Sequence, residues 1–223
     1  MATAWPVVFF TIQMALVATA INIPLALGAA VAAGRMPARW RSVFDALISL
    51  PLVLPPTAVG FLLLELLSRY GFVGRVLEKA GIQVLFTPKA VVIATAVMSF
   101  PLMARAFRIA LGSSQRRLTD MARTLGASPS AAFFRVALPI AWPGLLSGIV
   151  LAWCRAIGEF GATILIAGNI PGRTQTLALA IYQHVQTGRE REAVPLIFLS
   201  IGISFGAIIA SELLVRRGAE SRP

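Results

Sequence analysis

One cysteine, one histidine and nine acidic residues in a chain of 223 leave little of the equipment most enzymes use. The lone thiol, Cys154, can form no intrachain disulfide and says nothing about redox compartment. His184 has no second histidine or cysteine at ligand spacing, so it reads as a packing or surface residue rather than a metal ligand. Charged residues make up only 13% of the chain, about half the share of a soluble domain. No Gly-Lys dipeptide occurs, which excludes a Walker A loop to cradle nucleotide phosphates.

What fills the space is apolar: 57% hydrophobic residues and a mean hydropathy of +0.81. Crossing the hydrocarbon takes about 20 such residues in a helix. Five stretches qualify, at 5–33, 43–67, 90–111, 141–167 and 193–215. The expectation is an all-α membrane protein, with residues 1–223 forming a single transmembrane domain without internal repeat. The first stretch lacks a basic leader and is too long for a signal sequence, so it is expected to remain as a span.

The basic residues set an expected orientation. One side would hold Arg35, Arg39, Arg41, Arg105, Arg108, Arg116, Arg117, Arg123, Arg135, Arg216, Arg217 and Arg222. The other would hold Arg69, Arg75, Lys79, Lys89, Arg173, Arg189 and Arg191. With Arg155 inside a span, these account for all 20 Lys and Arg. The positive-inside rule then places the N-terminus outside and the C-terminus in the cytoplasm. The net charge of +11 is read as this topological bias plus contact with anionic lipid, not as a nucleic-acid surface.

Several spans contain residues that break helices or resist burial. "SLPLVLPPTAVG", Ser49 to Gly60, holds three prolines within six residues and cannot form a regular helix. Arg155 and Glu159 stand four apart, so one helix face would carry both and allow mutual neutralisation. The candidates for a polar path or gate are Ser49, Pro55, Pro56, Thr57, Arg155, Glu159 and Thr163. Glu159 would repel an anion, which suits a paired or gating role better than that of a ligand.

Residues 112–139 change character. From Ser114 to Leu125, Leu118, Met121, Ala122 and Leu125 fall on one helical stripe, opposite Arg116, Arg117, Asp120 and Arg123. Gly126 can take the positive φ that ends a helix, and Ser128 with Pro129 suits an N-cap and first position of a second helix, expected to stop at Pro139. Two short helices outside the membrane would then expose Ala131, Phe133 and Phe134 to a protein partner.

The pattern Asp120-Met121-Ala122, three residues, Gly126, nine residues, then Val136-Ala137-Leu138-Pro139 resembles the EAA loop of binding-protein-dependent ABC importer permeases. Met121 departs from that family's alanine and Val136 from its isoleucine, with the spacing intact. "LPLVLPPTAVGFLLL", "VMSFPLMARAF", "ARTLGASP", "GEFGAT" and "GNIPGRTQTLALAIY" are similar to the molybdate and sulfate branch of these permeases.

The resemblance implies a type I importer permease fold. Asp120, Ala122, Gly126, Ser128, Pro129, Ala131, Phe133, Phe134, Leu138 and Pro139 would form the loop that docks on a separate ATPase. It further implies a second copy of the chain, two ATPase copies that bind ATP and Mg, and an outer oxyanion-binding protein. The setting is a bacterial or archaeal cytoplasmic membrane. No catalytic group, cofactor or metal is expected on this chain. The resemblance implies molybdate as the cargo carried into the cytoplasm, with tungstate and sulfate or thiosulfate as the alternatives. An intramembrane lipid-modifying enzyme would need paired acids, whereas Asp45, Glu65, Glu159 and Glu212 are scattered along the sequence.

Overall fold

The computed structural model describes residues 4–220, apart from the side chains of residues 4, 113–116, 214 and 216–220. Arg222 and the side chains of Arg116, Arg216 and Arg217 therefore lie outside the described residues. The regular structure of the described residues is all helix: α1 (Ala4–Arg35), α2 (Ala38–Val53), α3 (Pro56–Leu67), α4 (Phe72–Lys79), α5 (Pro88–Ala110), α6 (Ser113–Thr124), α7 (Pro129–Ala132), α8 (Leu138–Ile157), α9 (Gly161–Ile166), α10 (Leu177–Gln186) and α11 (Glu190–Glu220). A π-helical turn, Phe133–Ala137, joins α7 to α8.

Four continuous helical stretches are long and apolar enough to cross a membrane, at Trp5–Arg35, Pro88–Ala110, Pro129–Ile157 and Glu190–Leu213. The expected second span, 43–67, is a pair of half-helices, α2 and α3, bent by 104°. Its cause is local. Leu54 and Pro55 each precede a proline, whose ring disfavours the α region for the residue before it. Both adopt extended backbone, with ψ of 148° and 133°.

The expected fourth span, 141–167, is also divided. Helix α8 ends at Ile157, residues 158–160 leave the helix, and α9 restarts at Gly161. Upstream, the expected stop at Pro139 does not occur, and helix runs from Pro129 to Ile157. Proline lacks an amide hydrogen and its ring clashes with the carbonyl four residues back. The π turn immediately before it absorbs the mismatch: the Leu138 amide donates to the Phe133 carbonyl, five residues back.

Helix α5 is the centre of the bundle, packed chiefly between α1 and α8. Ala90, Val91, Ala94, Met98, Met103, Ala104 and Phe107 are buried along it. Small residues permit the close crossings that membrane helices use in place of a hydrophobic driving force. A Cβ on Gly148 of α8 would stand 2.6 Å from Ala106 Cβ of α5. On the other side of α5, Asn22 of α1 is buried and donates from Nδ2 to Ala96 O at 2.9 Å and to Ser99 Oγ at 3.1 Å.

The segment around His184, between the expected fourth and fifth spans, is helix α10. Thr176 caps it by accepting from the Leu179 amide, and Thr11 of α1 accepts from the Leu177 amide at 2.8 Å.

Candidate functional site

Two regions hold the residues the sequence singles out. The first is the corner between α6 and α7. Gly126 has φ +94°, its amide donates to Arg123 O, and the Ala127 amide donates to Ala122 O. These two bonds are the closure of a Schellman motif, with Gly126 in the position that needs positive φ. Ser128 Oγ accepts from the Ala131 amide at 3.2 Å and Pro129 takes the first helical position. Asp120 and Ala122 thus lie on α6, and Leu138 and Pro139 on the start of α8.

Exposure at the corner differs from expectation. Ala132 is buried, Ala131 is half-buried, and Phe133 turns inward to line a groove with Val31 and Arg35 of α1 and with Thr119 and Asp120 of α6. Phe134 stays outside at 64% exposure, edge-on to Phe133 with ring centroids 5.2 Å apart. The reason is helical rotation: adjacent residues point about 100° apart, so with Phe133 turned to the groove against α1 the Phe134 ring points away from it. The apolar stripe of α6 supplies the rest of the outward face, with Leu118, Met121 and Leu125 all exposed, Leu125 at 88%. An amphipathic helix that turns its apolar side away from its own protein has a surface for something else to cover.

The second region lies where the two broken helices meet. A Cβ on Gly161 would fall 2.6 Å from Pro56 Cβ and 3.2 Å from the Thr57 amide nitrogen. One on Gly60 would fall 2.8 Å from Ala162 Cα. The α2–α3 break is therefore pressed against the start of α9, backbone to backbone. Pro55, Pro56 and Thr57 stand on one side of this contact, with Arg155, Glu159 and Thr163 on α8, the α8–α9 break and α9 on the other.

Glu159 is not on the helical face it was expected to share with Arg155, because α8 ends two residues earlier. The pair nonetheless forms, with Arg155 Nη1 2.8 Å from Glu159 Oε2. The other oxygen, Oε1, accepts from the Ala162 amide at 2.9 Å. One carboxylate, 1% exposed, thereby serves the positive N-terminal end of α9 and a cation in the last turn of α8. Burial of a charge is costly unless it is paired and hydrogen-bonded, and Glu159 has both partners. Thr163 is fully buried, and its Oγ1 has no hydrogen-bond partner among the described residues.

Ser49 does not join this group. It lines a separate cavity with Asp45, Arg105 and Arg108. Sequence reasoning missed Asn22, although a single amide in an apolar run is a recognisable signal of a buried polar contact. It also missed the Asp45–Arg108 ion pair at 2.8 Å, for which no local spacing gives a clue.

Residues 22–217 match the family described as the binding-protein-dependent transport system inner membrane component. The chain belongs to this family. It is 40% identical over 218 residues to the molybdenum transport system permease protein ModB of Escherichia coli (strain K12), covering 97% of this chain and 95% of that one. It is 41% identical over 198 residues to ModB of Haemophilus influenzae, covering 88% and 86%. Among solved structures, a chain of the MetNI methionine ABC transporter in an inward-facing conformation superposes with a TM-score of 0.70 at 17% identity, covering 97% of this chain and 94% of that one. A bacterial alginate ABC transporter, in complex with a periplasmic protein holding an alginate pentasaccharide, gives 0.75 at 15% identity, covering 97% and 80%. At such identities the structural likeness establishes the fold, that of ABC importer permeases.

Proposed function

We propose that this chain is the membrane permease subunit of an ATP-driven importer that carries molybdate into the cytoplasm. The supporting observation is the 40% identity to a molybdenum transport permease across nearly the whole of both chains. Tungstate and sulfate are tetrahedral oxyanions of the same charge and are the cargoes to be distinguished.

In this reading the corner of α6 and α7 faces the cytoplasm and docks on a separate ATPase through Leu118, Met121, Leu125 and Phe134. ATP and Mg bind on that partner. The N-terminus lies outside, two copies of the chain pair to enclose the path, and an outer binding protein delivers the anion. Pairing of two identical copies about a twofold axis is the commonest way to close such an assembly.

The chain's own part is mechanical. Force on the corner enters α8 directly, since α7, the π turn and α8 form one continuous helix. Helix α8 ends at the Glu159 break, and there the restart of α9 presses on the Pro55–Pro56 break of the second span. Displacement at the corner is thereby carried to the two discontinuous segments that border the candidate gate. ATP must favour one arrangement of these elements over the other for uphill transport to follow.

ATP hydrolysis by the complex reconstituted with its ATPase and binding protein tests this reading, with molybdate, tungstate and sulfate compared. Stimulation by molybdate is the expected result. Stimulation by sulfate alone would reassign the cargo, and none by any of the three in an intact complex would overturn the oxyanion reading.

A further inference from the structure

The recess that holds Ser49 lies between α1, α2 and α5, opens to one side with a volume of about 240 Å³, and takes no part in the coupling route described above. At roughly 30 Å³ per water, it has room for several water molecules or one compact ion. Its walls are made small by Ala29, Ala30 and Ala33 of α1 and by Ala104 of α5. The polar groups are Asp45 and Ser49 from α2 and Arg105 and Arg108 from α5. Arg105 and Arg108 stand three apart on one helix and present their guanidinium groups on neighbouring positions.

The charges there do not cancel. Asp45 Oδ2 is 2.8 Å from Arg108 Nη1, which neutralises one cation and fixes its position. Arg105 has no ion pair or hydrogen bond among the described residues, and neither has the Ser49 hydroxyl. Two guanidinium groups against one carboxylate leave one positive charge in excess, beside a free hydroxyl, in a recess with apolar walls.

We infer that this cavity binds a tetrahedral oxyanion group through Arg105, Arg108 and Ser49. A guanidinium matches phosphate-type oxygens with paired N–H donors, and a recess of low polarity strengthens such contacts relative to open water. Two sources offer that group at this depth: the headgroup of an anionic phospholipid, which basic recesses between membrane helices accept, and a free oxyanion. A purely topological role for the arginines explains their sign. It does not account for the recess in which the two arginines meet Ser49, or for the ion pair that fixes Arg108 there.

The permease–ATPase complex in lipid nanodiscs tests this with two probes and two variants. Retained phosphatidylglycerol is read by native mass spectrometry from discs that contain it. Binding of inorganic phosphate and of molybdate is read by calorimetry in discs of phosphatidylcholine alone. Arg105→Gln is expected to reduce the bound anion about tenfold, the loss of one charge-assisted hydrogen bond. Because Arg105 is exposed and unpaired, its melting temperature should match that of the parent. Asp45→Asn frees Arg108 and should bind at least as tightly as the parent.

An Arg105→Gln effect confined to phosphatidylglycerol discs identifies a headgroup site. An effect on phosphate or molybdate in phosphatidylcholine discs identifies a free-ion site. Binding that is absent in both, or equal in parent and Arg105→Gln, overturns the assignment, as does weaker binding by a normally folded Asp45→Asn. Neither readout involves uptake, so failure here would leave the transport reading standing.

Discussion

The α6–α7 corner and the meeting of the two helix breaks are both places where regular helix stops, yet they are built in opposite ways. At the breaks, backbone touches backbone: Gly60 and Gly161 leave no room for a Cβ, and Glu159 is buried with both oxygens engaged. At the corner, a Cβ on Gly126 would meet nothing within 4 Å, and Leu125 and Phe134 stand in the open. One region holds its own shape by contact. The other holds its shape by local capping bonds and leaves its apolar face free, as expected of an element gripped from outside. Substitutions should therefore cost stability at the breaks and function at the corner.

The largest stability effect is expected from Arg155→Leu. It strands Glu159 as a buried carboxylate without its cation, a change that costs about 3–5 kcal/mol in buried pairs. The retained bond to the Ala162 amide and the partial exposure of Arg155 place the expected loss near the lower end, about 3 kcal/mol. Thermal unfolding of the purified chain measures it. The decisive comparison is the double variant Arg155→Leu with Glu159→Leu, which removes the stranded charge and should be more stable than Arg155→Leu alone. Equal destabilisation would mean that the pair contributes packing rather than charge balance.

Gly161→Ala comes next. Its Cβ would overlap Pro56 Cβ at 2.6 Å, and neither the proline ring nor the adjacent backbone can swing aside. Overpacking of this kind costs about 1–3 kcal/mol. The contact also joins the two broken segments, so uptake should fall beyond what the lost stability explains. Full uptake at a normal melting temperature would show that the breaks separate freely.

Gly126→Val tests the corner's backbone. No neighbour obstructs the side chain, so only the φ of +94° resists it, at about 1–3 kcal/mol for a β-branched residue. Because α6 packs against little else, the loss should appear as a misplaced corner rather than as global unfolding. Assembly with the ATPase, measured by co-purification, should weaken while the melting temperature of the membrane helices changes little.

The same contrast explains what the sequence made legible. Hydropathy pointed to the four long apolar helices and to the bent pair α2–α3, since a run of about 20 apolar residues is a local property. Gly126, Ser128 and Pro129 marked the corner because caps act within a few residues of themselves. Prolines 51, 55 and 56 announced a break in the second span. The break after Ile157 was not legible, for a lone Gly158 weakens a helix without fixing where it ends, and the packing of α9 on α3 joins residues far apart in sequence. Which of Phe133 and Phe134 faces out was equally hidden, because it depends on Phe133 meeting α1, about 100 residues away in sequence, across a groove. The Asp45–Arg108 pair and the packing of Gly161 on Pro56 join residues far apart in sequence, where no periodicity reaches.

Phe134→Asp should have the smallest effect on stability and a large one on function. The ring is 64% exposed, so replacing it removes little buried area and strands no charge, and the melting temperature should shift by no more than a surface substitution does, within about 0.5 kcal/mol. If Leu125 and Phe134 are covered by the ATPase, a carboxylate there would be desolvated at the interface without a partner, and aromatic anchors of this kind cost about 2 kcal/mol or more when lost. ATPase co-purification and uptake should then both fall more than tenfold while the fold is unchanged. Phe133→Asp, whose ring lines the groove against α1, should instead lower the melting temperature. If the two variants behave alike, the corner's inner and outer faces are not divided as the structure has them, and the contrast between a region that holds and a region that is held fails.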